Sequence, residues 1–138
     1  MASVEGIAEP EPEAERFYPL RITEQAAADI DDANNYLAKK AGAAFAEKWE
    51  EGLIQEIRKL SSQPYKYDVD LLETQRLKRE TRDLTYRLKP GVVAYRIFYA
   101  IVESDMEPTS VVIIHVRHGS RRPITKKEGG ALRRSMNF

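Results

Sequence analysis

Residues 91–122 read GVVAYRIFYAIVESDMEPTSVVIIHVRHGSRR, and this stretch decides the fold. Two runs dense in β-branched and aromatic residues flank a polar, proline-containing break, ESDMEPTS. Such runs form strands, and such a break forms the loop of a hairpin. Side chains alternate along a strand, so parity sorts them by face. In the first run Val93, Tyr95, Ile97, Tyr99 and Ile101 share one face, and Ala94, Arg96, Phe98 and Ala100 share the other. In the second run the same period places Val112, Ile114 and Val116 on one face and Ile113, His115 and Arg117 on the other. One face is apolar or Tyr-bearing and calls for helices to cover it. The opposite face carries cations. The hairpin runs out into a basic knot, Arg117-His118-Gly119-Ser120-Arg121-Arg122.

Immediately upstream, Leu84, Tyr86 and Leu88 alternate with Thr85, Arg87 and Lys89, and Pro90-Gly91 supplies a turn. This adds a strand to the hairpin and makes an antiparallel meander. Residues 63–80 have a weak pattern that fits a helical turn or an extended loop, pinned by Tyr65, Tyr67, Leu71 and Leu72. Before it lie two helices. Thr23 is a good N-cap, and Ala26, Ile30, Ala33, Leu37 and Ala41 form a helical stripe ending near Gly42. Phe45, Trp49, Leu53, Ile57 and Leu60 form a second, and Pro64 bars its continuation. So short a joint implies a helical hairpin. Phe17–Ile22 reads as a first strand. The expected fold is α+β, in the order β-α-α-β-β-β, with the helix pair on one face of an antiparallel sheet. Residues 1–16 read as a disordered acidic tail, 17–125 as the domain, and 126–138 as a basic C-terminal tail in which Thr125–Glu128 begin a short helix and the end frays.

The 138 residues fit one domain, and their net charge of zero hides a split. Residues 1–75 hold 8 Lys/Arg against 16 Asp/Glu, whereas residues 76–138 hold 14 against 6. The second half therefore suits an anionic partner, or the two halves simply attract each other in the fold. The chain has no cysteine, which excludes disulfides and zinc-thiolate sites and accords with a cytoplasmic location. No apolar run reaches the ~20 residues of a membrane span, and the acidic N-terminus does not read as a secretory signal.

The candidate chemistry is cationic. His115 and His118 are the only histidines and lie three apart on a strand, so no metal site is expected. Ser120 lacks a nucleophile elbow, and Gly129-Gly130 is too short for a phosphate loop. No cofactor is implied. By parity Arg87, Lys89, Arg96, His115 and Arg117 project from the uncovered sheet face, with Arg121 and Arg122 at its lip. Guanidinium groups grip phosphate, and Phe98 on that face offers a ring on which a base can stack. The same surface suits RNA, DNA or an acidic protein segment. An ordinary solvated sheet face also carries Lys and Arg.

The element order, the start RITEQAAADIDDANNYL, the later LSSQP and TRDL, and above all YRIFYAIV … VVIIHVRHGSRR resemble the RelE/ParE superfamily of bacterial toxins. The resemblance covers about residues 18–123. It implies a cytoplasmic growth-inhibiting toxin of a type II toxin–antitoxin module, of the kind that stabilises plasmids, bound in an oligomer with a cognate antitoxin. RelE-like members cut messenger RNA on the ribosome with sheet-borne Lys and Arg and a Tyr near the C-terminus. ParE-like members poison DNA gyrase. Carried over by position, Arg96 falls on the strand Arg, Arg121 on the Arg after the closing Gly, and Arg87 near a strand Lys. His118 is a candidate general base if the chain is a ribonuclease. The Tyr position holds Lys127, and no Tyr follows Tyr99. The HGSRR ending is common among ParE-like members. The resemblance thus implies a ParE-like gyrase inhibitor using Arg87, Lys89, Arg96, Arg117, Arg121 and Arg122. A RelE-like endoribonuclease or a non-toxic, decayed member are the alternatives, so whether the chain is an enzyme stays open.

Overall fold

The computed structural model describes residues 17–135. The acidic tail expected over residues 1–16 and the last three residues lie outside them. The elements are β1 (Leu20–Ile22), α1 (Glu24–Ala41), α2 (Ala43–Lys59), α3 (Leu71–Leu77), β2 (Arg82–Arg87), β3 (Ala94–Val102), β4 (Ser110–His118) and α4 (Lys126–Ser135). The four strands form one sheet in the order β1-β4-β3-β2. The meander β2-β3-β4 is antiparallel, as its sequence implies, while β1 joins β4 in parallel.

Thr23 shows why β1 and α1 meet where they do. Its backbone N–H bonds the Ile113 carbonyl at 3.1 Å, ending the ladder. Its hydroxyl accepts from the Ala26 N–H at 3.1 Å, capping α1, and donates to the Ile114 carbonyl at 2.9 Å. The expected stripe then buries Ala26, Ile30, Ala33 and Leu37, though Ala41 at its end is exposed. Gly42 alone joins the two helices at φ +100°, a conformation that only glycine adopts without strain. Helix α2 buries Ala46, Trp49, Leu53 and Ile57. These side chains pack on Leu84, Tyr86, Tyr95, Ile97, Tyr99, Val111, Ile113 and Val116 to form the main core.

Parity fails at one place. Phe98 pairs with His115 but Tyr99 pairs with Ile113, so Ile114 is an extra residue in β4. A bulge of this kind reverses the alternation downstream. Ile113 and Val111 therefore face the helix hairpin beside Val116, while Ile114 turns away. The sequence-based sorting of this strand, with Val112 and Ile114 beside Val116, is corrected accordingly.

The second sheet face is not open. Helices α3 and α4 lie on it and enclose a smaller core of Leu77, Ala100, Ile114, Ile124 and Leu132. Asp70 caps α3 by accepting from the Glu73 N–H at 2.9 Å. Thr125 and Glu128 cap α4 reciprocally, at 2.8 Å from the Thr125 N–H and 3.1 Å from the Glu128 N–H. The two helices cross closely at Gly129, where a Cβ would stand 2.6 Å from the Arg76 carbonyl oxygen. The molecule thus has three layers, and the predicted fraying end is instead a docked helix through Ser135.

Candidate functional site

The covering layer changes the fate of the predicted cations. Arg96 lies on the second face of β3, and its guanidinium bonds Asp70 at 2.8 Å and also Asp83. It lies over the Phe98 ring at 4.9 Å from the centroid. Burial pulls the Arg96 pKa down, but the bonds and charges of Asp83 and Asp70 outweigh it and the value is raised. Burial likewise pushes Asp83 up, against the pull of Arg96. Because Asp70 also caps α3, Arg96 is a tie between β3, β2 and α3. It is not an open phosphate grip.

Phe98 and His115 are also internal. They stack at 4.5 Å and are 1% and 2% exposed, so neither ring can receive a base. His115 Nε2 meets the Glu73 carboxylate at 2.9 Å, and Glu73 is as deeply buried. Of the predicted face, Arg87 and Lys89 remain exposed at the β2–β3 turn, where Arg87 donates to the Val92 carbonyl.

The remaining predicted cations gather at the end of β4. Arg121 and Arg122 are exposed, and half-buried Arg117 donates to the Arg122 carbonyl at 3.2 Å. The Arg117 pKa is lowered, first by burial and next by the charge of Arg121. His118 Nδ1 accepts the Ser120 N–H at 3.0 Å and meets the Ser120 hydroxyl at 2.7 Å. An amide N–H can only donate, so Nδ1 holds the lone pair and Nε2 the proton in the neutral ring. The amide and hydroxyl of Ser120 thus converge on that one lone pair. Lys127, at the position of the family tyrosine, is exposed on the first turn of α4.

Between the start of α1, the end of β4 and α4 lies a cavity of about 300 Å³. Arg117 and Arg121 line it together with Gln25, Asp29 and Glu128. The sequence singles out neither Asp29 nor Glu128 as a site residue, although Asp29 lies within the RITEQAAADIDDANNYL stretch. Glu128 was legible as a capping partner three residues after Thr125, whereas nothing in the sequence places Asp29 beside β4. Asp29 spans that gap by accepting the Val116 N–H at 3.0 Å, on the edge β1 is too short to cover. Burial raises the Asp29 pKa despite this bond.

Among the described residues no group of three or more His, Asp or Glu is placed to hold a metal. No described helix is long and apolar enough to cross a membrane. The arrangement can bind anions through exposed guanidinium groups, beside which stand the carboxylates of Asp29 and Glu128. No curated protein matches the chain. The family model for the ParE toxin of the type II toxin–antitoxin system, parDE, matches residues 20–123, which run from β1 to the loop before α4. The match spans most of the chain, and this protein belongs to the ParE toxin family of the RelE/ParE superfamily.

Proposed function

We propose that this ParE toxin arrests growth by binding and inhibiting DNA gyrase in the cytoplasm, through the basic lip Arg117, Arg121 and Arg122 with Arg87 and Lys89 nearby. Membership of a parDE system implies a cognate antitoxin that neutralises it. The observation that carries the gyrase reading is the commitment of Arg96. A superfamily ribonuclease needs that strand Arg facing its RNA, and here Asp70 and Asp83 hold it. The absence of any Tyr after Tyr99 supports the same reading. Inhibition by binding needs surface complementarity and charge, with no proton transfer. We infer that the antitoxin lies across the helix hairpin and the sheet edge; the acidic groove lined by Glu47, Glu50 and Glu51 between α1 and α2 supports a basic or mixed segment there.

Induction of the toxin in cells, with translation and DNA damage followed separately, tests this. DNA damage should rise before translation falls, and Arg121→Glu should weaken the effect while the protein stays folded. Loss of translation first, with intact chromosomes, would point to the ribonuclease alternative. No effect on either would point to a decayed member.

A further inference from the structure

The second layer gathers much of the positive charge of the chain's C-terminal half. Arg76 and Lys78 stand at the end of α3, and Lys126, Lys127, Arg133 and Arg134 on α4. Among the described residues no carboxylate lies within ion-pair distance of any of the six. The acids of this layer have other partners. Glu73 is buried against His115 at 2.9 Å, Glu80 reaches Arg82 at 3.8 Å, and Glu128 accepts from the Thr125 N–H at 2.8 Å. Arg76 donates to the Ile124 carbonyl at 3.2 Å and Arg133 to the Arg76 carbonyl at 2.5 Å, both neutral acceptors. Arg133 and Arg134 also converge: a Cβ on Gly130 would stand 3.7 Å from Arg133 Nη2 and 3.4 Å from Arg134 Nη1. A helix C-terminus attracts cations, which accounts for Arg133 and Arg134 in the last turn of α4. The same dipole disfavours Lys126 and Lys127, both exposed in its first turn. Helix folding does not explain that pair, whereas an anionic partner does.

We propose that the outer face of α4, with the adjoining end of α3, binds the phosphate backbone of duplex DNA. Phosphate contacts need exposed cations and no apolar anchor. The face fits that need: Ala131 is small and exposed, while Leu132 is turned into the second core. A protein partner would want a buried anchor, and a lipid surface would want the apolar side of the helix, which the sheet already covers. A single strand would want an exposed ring to stack on, and the exposed aromatics Phe17, Tyr36 and Tyr65 lie outside α3 and α4. An α-helix enters the ~12 Å major groove of B-form DNA but not the deep, narrow groove of A-form RNA. The surface lies beyond the lip at Arg117, Arg121 and Arg122, and the inference does not rest on the gyrase reading.

Fluorescence anisotropy of a labelled DNA duplex about two helical turns long, titrated with the full chain, tests this without gyrase. Binding should saturate with Kd on the order of 10 μM or tighter at about 50 mM salt, and log Kd should rise linearly with log salt. Changing the exposed Lys126, Lys127 and Arg134 together to glutamine, with folding checked by circular dichroism, should weaken binding at least about tenfold and flatten the salt slope by about 2 to 3. The pair Lys126→Gln and Lys127→Gln also relieves the helix dipole, so it should bind less tightly while Tm does not fall. Changing Lys39 and Lys40 to glutamine removes two exposed cations from the helix hairpin and should leave binding as in wild type. The proposal is overturned if no binding saturates, or if a single strand or an A-form RNA duplex binds as tightly. It is equally overturned if the α4 variants bind like wild type, if the hairpin variant loses as much as they do, or if changing Arg121 and Arg122 to glutamine costs more than changing α4.

Discussion

Gly52 gives the sharpest test of how the helix hairpin meets the sheet. It sits inside α2, where glycine is less favourable than alanine by ~1 kcal/mol, so propensity alone makes Gly52→Ala stabilising. Packing reverses the sign. An added Cβ would stand 2.1 Å from the Tyr86 hydroxyl oxygen and 3.0 Å from the ring carbon bearing it. Tyr86 cannot simply retreat. It is paired with Tyr95 in the sheet, its ring lies 6.2 Å from that of Trp49, and its hydroxyl donates to the Trp49 carbonyl at 2.9 Å. Displacing it sacrifices a buried hydrogen bond, about 1 kcal/mol, and adds overpacking of about 1–3 kcal/mol. After the propensity gain the net loss is ~1–3 kcal/mol, or roughly 5–15 °C in Tm for a domain of this size. Tyr86→Phe removes the atom at 2.1 Å, so Gly52→Ala should be milder by at least about 1 kcal/mol in that background. Calorimetry of the four proteins in the cycle measures this. A rise in Tm for Gly52→Ala alone, or strict additivity of the two changes, would refute the close approach of α2 to β2.

Other outcomes follow from the same packing. Trp49, fully buried against Tyr86 and Tyr95, should lose about 3–5 kcal/mol on change to alanine, read by chemical denaturation. A near-neutral result would place its stripe against a partner instead. Burial holds the Asp29 carboxyl above its ordinary 3.8, so its contribution to stability is full below that value and is lost as pH rises through the folded pKa. The Tm of Asp29→Asn relative to wild type should therefore climb as pH rises from 3.8, and a falling difference would mean that its hydrogen bonds outweigh burial. Gly129→Ala forces a Cβ against the Arg76 carbonyl and should release α4, with loss of hydrogen-exchange protection over residues 126–135 and little change in the main core. Unchanged protection would contradict the tight α3–α4 crossing.

The main core was legible because its signals are long and periodic. The stripes of α1 and α2 and the runs of β3 and β4 each repeat their period several times. The second layer was not. Helix α3 is seven residues long and mostly polar outside its leucines, too short to show a period. Helix α4 carries Gly129-Gly130, which reads as a frayed end until Gly129 is seen against the Arg76 carbonyl. Among the described residues the buried cluster of this layer is small, Leu77, Ala100, Ile114, Ile124 and Leu132, so composition gives little warning of it. That omission carried into the site. Arg96, Phe98 and His115 were placed on the correct face, but the face was taken as open, and their partners Asp70, Asp83 and Glu73 come from segments whose patterns are weak. The bulge at Ile114 also has no sequence signature, since one more isoleucine in VVII does not reveal which of them is unpaired. The lip at Arg117, Arg121 and Arg122 was legible because its clustering is local.

The most direct test of the gyrase reading uses purified components. The toxin is titrated into gyrase with relaxed plasmid, and in parallel into ribosomes programmed with messenger RNA. Supercoiling should be inhibited in proportion to toxin, less so by Arg121→Glu, while the messenger RNA stays intact at every concentration. Cleavage of the messenger RNA by the unmodified protein, with supercoiling unaffected, would contradict the account.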